Sequence, residues 1–195
     1  TVYVPAGLYA FRHDLAVPEG VELRGCSDVP HHTVSAGSVL MVYHRKGEED
    51  GPPFVCLEPG AGLRGLTVWY PEQPLKAPVA YPWTVRSLGR ASWIRDVTVG
   101  NAWQAVDFAT HRSDGHRISY LAGAMFRRGL FVGACKGKGW VEDVQFNPHY
   151  AARLPQRLPR VLGDGQPGDA GGAIIQFQRE HLEGLVFKDC RDEQL

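Results

Sequence analysis

The stretch 93-WIRDVTV-99 sets a charged residue and an acid between apolar positions, and the chain returns to this order. The segments 62-GLRGLTV-68, 140-WVEDVQF-146 and 181-HLEGLVF-187 share it: apolar, polar or charged, Gly or Asp, apolar, variable, apolar. Their starts lie 31, 47 and 41 residues apart. The longest gap is split by 116-HRISYLAG-123, which starts 23 residues after Trp93 and 24 before Trp140, so a period near 23 with insertions accounts for the set. A strand unit this short cannot bury its own apolar face, but pairing each copy with the next one does. The alignment predicts three interior columns: Leu63, Ile94, Val141 and Leu182; Leu66, Val97, Val144 and Leu185; Val68, Val99, Phe146 and Phe187. Gly65, Asp96, Asp143 and Gly184 fall where the chain must turn, and Gly and Asp tolerate left-handed geometry. Asp96 and Asp143 are therefore read as structural. With about 4.8 Å added per coil, the expected fold is all-β, a parallel β-solenoid of roughly six to eight coils. An antiparallel sandwich also has many short strands, but few Asn-Gly or Asp-Gly hairpin signals occur and its strands need no shared corner residue.

Composition bounds the rest. The chain has 195 residues, 44% of them hydrophobic, which suits one domain over 1–195. Twenty-one basic and 21 acidic residues cancel, so charge gives no reason to expect nucleic acid or an anionic membrane surface. No apolar run is long enough to span a bilayer. Thr1-Val2-Tyr3-Val4 already reads as strand, and Phe187-Lys188-Asp189-Cys190 reads as the middle of a repeat, so both ends of the solenoid are expected to be incomplete. Cys26, Cys56, Cys135 and Cys190 are too far apart for a CxxC metal pattern and read as small buried hydrophobes, with one disulfide left open. His44, His111, His116 and His181 show no zinc spacing either. Three segments break the repeat, 44–53, 69–83 and 148–172, and read as long loops over the surface.

A more specific signal stands at the N-terminus. In 2-VYVPAGLYAF-11 and 17-VPEGVELRGCSD-28, the residues Val4, Pro5, Gly7, Tyr9, Pro18, Gly20, Val21, Leu23 and Gly25 form a pattern. It resembles the opening coils of the pectate-lyase-like superfamily of right-handed parallel β-helices. The resemblance implies a right-handed coil and a polysaccharide or oligosaccharide partner. It does not imply a reaction, because such folds host lyases, hydrolases, epimerases and tailspikes. Neither a pectate-lyase arginine motif nor the paired aspartates of polygalacturonases is present.

Candidate site residues come from the outward positions. Stacking the copies is expected to bring Trp69, Tyr70, Trp103 and Tyr150 into one aromatic surface with Asn101 and Asn147, with Tyr81 and Trp83 folding over it. Such a platform suits sugar rings. The competing reading is that the aromatics close loops against the solenoid and the asparagines cap turns. For hydrolysis, Asp107 is expected to face outward from 105-AVDF-108 and to pair with Glu72 or Asp114. For β-elimination, His149, Tyr150 or Lys188 would be the base and Arg153, Arg157 or Ca²⁺ would neutralise a uronate. The acids of 164-DGQPGD-169 do not have the spacing of an EF-hand loop.

These readings converge on a carbohydrate-active enzyme, a glycoside hydrolase ahead of a polysaccharide lyase. The non-catalytic alternative is a glycan-binding or tail-like module. No cofactor is required, with calcium admitted for the lyase. A polysaccharide substrate implies a secreted or cell-surface protein, and open solenoid ends invite a homo-oligomer or other segments that complete the stack.

Overall fold

The computed structural model describes residues 1–27, 37–152, 158–166 and 168–195. Its framework is a 13-stranded sheet network in which every strand pairing is parallel. The chain begins with β1 (Val2–Tyr3), β2 (Gly7–Phe11) and β3 (Leu15–Val17). The next circuit is β4 (Glu22–Arg24), β5 (Ser38–Val42) and β6 (Val55–Leu57), followed by β7 (Gly62–Trp69) and β8 (Trp83–Ser87). Two long bent strands come next, β9 (Trp93–Phe108) and β10 (Arg117–Gly133), then β11 (Lys138–Phe146). The helices α1 (His149–Ala152) and α2 (Gly171–His181) precede β12 (Glu183–Lys188) and β13 (Asp192–Gln194).

The pairings sort these strands into three ladders. The first contains β1, β4 and the leading parts of β7, β9, β10 and β11, and it ends on β13. The second contains β2, β5, the second part of β7 and the middle of β9 and β10, ending on β11. The third runs β3, β6, β8, the ends of β9 and β10, and β12. The chain visits ladders one, two and three in turn and then returns to the first. Alternation along each strand sends every second side chain inward. Leu23, Leu63, Ile94, Ile118 and Val141 stack in ladder one, and Val55, Val85, Val106, Leu130 and Leu185 in ladder three. Residues of all three ladders meet in a single hydrophobic core.

The expected corner between ladders one and two is present. Gly65, Asp96, Tyr120 and Asp143 have φ of 64°, 54°, 51° and 52°, one left-handed residue per strand. Gly65 has a further reason to be glycine, since a Cβ there would stand 2.6 Å from the Ser27 carbonyl oxygen.

One copy of the repeat sits elsewhere. Leu185 pairs with Leu130 and Phe187 with Val132, so 181–187 belongs to the third ladder and does not extend the columns assigned to it. Gly184 is not among the left-handed residues. The vacated place belongs to β10, where Ile118 pairs with Ile94 and Val141, and Leu121 with Val97 and Val144. Alternating burial imposes the same apolar spacing on any strand of the stack, so the pattern fixes an inward face without naming the ladder.

The sequence reading also has no helix at 171–181. Within α2, Ile174 and Phe177 lie on one side and pack in a second apolar cluster with Trp69, Phe126 and Tyr150. That cluster covers the outer face of ladder two, where Val39, Met41, Ala122 and Ala124 would otherwise meet water. No helix among the described residues is long and apolar enough to cross a membrane.

Candidate functional site

The aromatic residues expected to form a platform are mostly interior. Trp69 is 0% exposed, and its indole N–H donates to the Pro159 carbonyl oxygen at 2.7 Å. Tyr70 and Tyr81 pack edge to face at 4.8 Å inside the main core, and the Tyr70 hydroxyl shares a hydrogen bond with Thr84. Trp83 is buried against Phe131. Trp103 is half-buried and lies 5.8 Å from the Phe177 ring of α2. Tyr150 is buried and donates from its hydroxyl to Gln145 Oε1 at 2.8 Å.

The two asparagines act on the backbone. Asn101 is buried; its Oδ1 accepts the Tyr70 N–H and its Nδ2 donates to the Tyr70 carbonyl, both at 2.9 Å, so the side chain extends the ladder across a bend. Asn147 Oδ1 accepts the His149 N–H at 2.9 Å, a local turn. Asn147 and His149 line a shallow depression together with Gly168 and Ile175. Arg153 and Arg157 lie outside the described residues.

The expected acids are placed differently from one another. Asp107, read as outward-facing, is 1% exposed. Its Oδ2 accepts from Arg86 Nε and from Thr110 Oγ1, both at 2.6 Å, and its Oδ1 accepts the Ala109 and Thr110 amides at 2.9 Å. Burial opposes its charge, but the hydrogen bonds from Thr110, the two amides and Arg86 outweigh it and hold the carboxyl below the usual range. Asp114 accepts the Lys136 and Gly137 amides at 2.7 and 2.9 Å and pairs with Arg112. The Gly137 amide, helped by Lys136 and Arg112 against partial burial, lowers its pKa to about 2. Both aspartates are ionised corner pins. Glu72 is exposed in the 70–82 loop.

A different surface carries exposed aromatics. On the outer face of ladder one, Gly62, Trp93, Arg117, Trp140 and Gln194 form one register column. Arg24, Arg64, Arg95, Ser119 and Glu142 form the neighbouring one. Trp140 is 45% exposed, Tyr120 is 38% exposed at the corner, and Trp93 is half-buried. The Trp93 indole lies over Gly62, where any Cβ would collide with its ring, so that glycine provides the seat. Between the columns lies a depression of about 400 Å³ lined by Arg64, Arg95, Arg117, Tyr120, both tryptophans and Glu142.

Three arginines in succession on one column repel each other across strands roughly 4.8 Å apart. Asp96 offsets part of this, with its Oδ2 at 3.7 Å from Arg64 Nε and 3.4 Å from Arg95 Nε. One carboxylate between two guanidiniums leaves the patch positive. With a single acid among the residues lining it, the depression offers a hard cation little and an anion a great deal. The stretch 93-WIRDVTV-99 already contained this surface: once Ile94 points inward, Trp93 and Arg95 must point out. No family model, curated protein or solved structure matches the chain.

Proposed function

We propose that this chain binds an acidic polysaccharide along the outer face of the first ladder, on a right-handed parallel β-helix of the pectate-lyase-like kind. The observation that carries the reading is the pair of columns on that face, Trp93, Arg117 and Trp140 beside Arg24, Arg64 and Arg95. Aromatic faces suit the apolar faces of sugar rings. Guanidiniums hold carboxylates or sulfates through paired N–H donors. A polymer charged at every unit would meet fresh cationic or aromatic groups on each coil, spaced by roughly 4.8 Å. Overall neutrality does not oppose this, because Arg64, Arg95 and Arg117 line one depression against a single lining acid, Glu142. Such a partner implies a secreted or cell-surface protein.

Of the activities considered, binding is the one these side chains support best. Hydrolysis needs one protonated and one ionised carboxyl facing the sugar, whereas Asp107 and Asp114 are committed to backbone amides and arginines. One observation favours a second reading, β-elimination: Tyr120 lines the same depression as Arg95 and Arg117. Once its own proton has passed to solvent, the Tyr120 phenolate can take the proton adjacent to a uronate whose charge the guanidiniums neutralise.

The test is titration of the chain with alginate, polygalacturonate and a sulfated glycan against a neutral β-glucan, at low and high salt. Acidic glycans should bind and weaken with salt, and Arg95→Ala should weaken them while leaving the fold intact. Equal binding of the neutral glucan, or no binding of any acidic one, overturns the reading. Growth of unsaturated-uronate absorbance, lost in Tyr120→Phe, would add elimination to binding.

A further inference from the structure

The corners that return the chain from ladder three to ladder one hold a second constellation, one residue before the Trp93, Arg117 and Trp140 column. His116 precedes β10, Cys135 follows it one coil later, and Glu193 lies in β13. These residues are far apart in sequence, yet one ligand atom from each lies within 4.8 Å of the others. We propose that His116, Cys135 and Glu193 form a binding site for a divalent transition-metal ion of the zinc class.

The argument begins with the imidazole. The His116 side chain is fully buried, and its Nδ1 stands 2.8 Å from the Ser113 carbonyl oxygen. A carbonyl only accepts, so Nδ1 carries the proton and fixes the tautomer. In the neutral ring, Nε2 is then a bare lone pair, and it faces Glu193 Oε1 at 3.0 Å. Two acceptors at that distance require a cation, either a proton or a metal. The other carboxylate oxygen separates the two. Glu193 Oε2 is buried without a hydrogen-bond partner, although the side chain is only 9% exposed. A protonated imidazole would satisfy Oε1 alone and leave Oε2 bare, at the cost that attends any buried unpaired acceptor. A metal ion would engage the carboxylate, the imidazole and the adjacent thiol together.

The donor set selects the class of ion. One imidazole nitrogen, one sulfur and one carboxylate suit zinc and its neighbours and do not suit calcium or magnesium. Cys135 is buried and currently donates to the Gly137 carbonyl at 3.1 Å; binding a metal would release that proton. Cys190 stands outside this group, its thiol directed at the Val132 and Lys188 carbonyl oxygens, so water would take the fourth position. The carbonyl behind His116 is the outer partner that metal-bound histidines use to hold their orientation. Gly139 leaves the necessary space, because a Cβ there would collide with the His116 ring and the Glu193 carboxylate. Such an ion would pin the C-terminal strand to the corners of two earlier coils.

The test is to strip the 195-residue chain with a chelator, titrate it with Co²⁺, and then displace the cobalt with Zn²⁺. One equivalent should produce a thiolate-to-cobalt charge-transfer band that zinc removes. Zinc at a hundredfold excess over its Kd should raise Tm by about 5–10 °C. Cys135→Ser should abolish the band while circular dichroism shows the fold retained. If that variant does not fold, Glu193→Gln, near the chain end, should weaken cobalt binding at least about tenfold. The proposal is overturned if the folded chain gives no band, if the band survives Cys135→Ser unchanged, or if a Cys135–Cys190 disulfide persists in the presence of metal.

Discussion

The outer faces of ladders one and two are built by the same strands, and their side chains meet opposite fates. On ladder two, Trp69, Met41 and Ala122 face out from the strands and are sealed by α1, α2 and Leu158. On ladder one, Trp93, Trp140, Tyr120 and Arg95 face out and nothing among the described residues covers them. Both surfaces carry aromatic residues. The difference lies in their company: small and aliphatic residues surround the first set, arginines the second. An apolar surround recruits a covering segment because each buried Å² stabilises the fold by about 25 cal/mol. A guanidinium surround resists covering because its desolvation must be matched by a partner. Aromatic residues therefore mark packing on one face and recognition on the other.

That contrast can be broken by substitution. Trp69→Ala removes a fully buried indole and its bond to Pro159, and should cost about 3–5 kcal/mol of stability in a denaturant titration. Acidic-glycan affinity per folded molecule should be unchanged. If stability holds, the second cluster is not a core.

Asp107→Asn should cost less, about 2–3 kcal/mol, because the partly exposed Arg86 is left with a weaker partner. The pH dependence follows the same residues. The carboxyls of Asp107 and Asp114 are held below their unfolded values, so their stabilisation is complete above the ordinary carboxylate pKa and lost as pH falls through the folded one. Thermal melts of the parent chain should therefore lose stability between about pH 4 and pH 2. The loss should be smaller in Asp107→Asn, and an identical acid slope in that variant would refute the pinning role.

Trp140→Ala should do the reverse of Trp69→Ala. Its stability change should stay within about 1 kcal/mol, since nearly half of the side chain already meets water. Its acidic-glycan affinity should fall by at least about tenfold, as expected for an aromatic anchor. A large stability loss with unchanged binding would make ladder one's outer face a packing surface awaiting a cover.

Much of the framework was legible in the residues. The spacing of Ile94, Val97 and Val99 against Leu63, Leu66 and Val68 matches the observed register, and Gly65, Asp96 and Asp143 stand at the expected left-handed corner. The copy at 181–187 misled because period-two burial recurs in every ladder. The candidate site was less legible. Asp107 alternates outward as read, but Arg86, one coil earlier in register, and its own turn close over it. The outward position of Trp69 could be read from the strand pattern, but the helices that pack across it could not.

By itself, the sequence determined the alternation and, for the copies at 62–68, 93–99 and 140–146, the inward columns and the turn position, because these depend on alternation and on backbone preferences within a few residues. Only the tertiary structure decided which outward face is covered, and which distant residues share a corner. His116, Cys135 and Glu193 have no local spacing that suggests a metal, and their meeting depends on three separate coils being in register. Exposure and ligand geometry are properties of how coils and insertions pack, and no short window of sequence contains them.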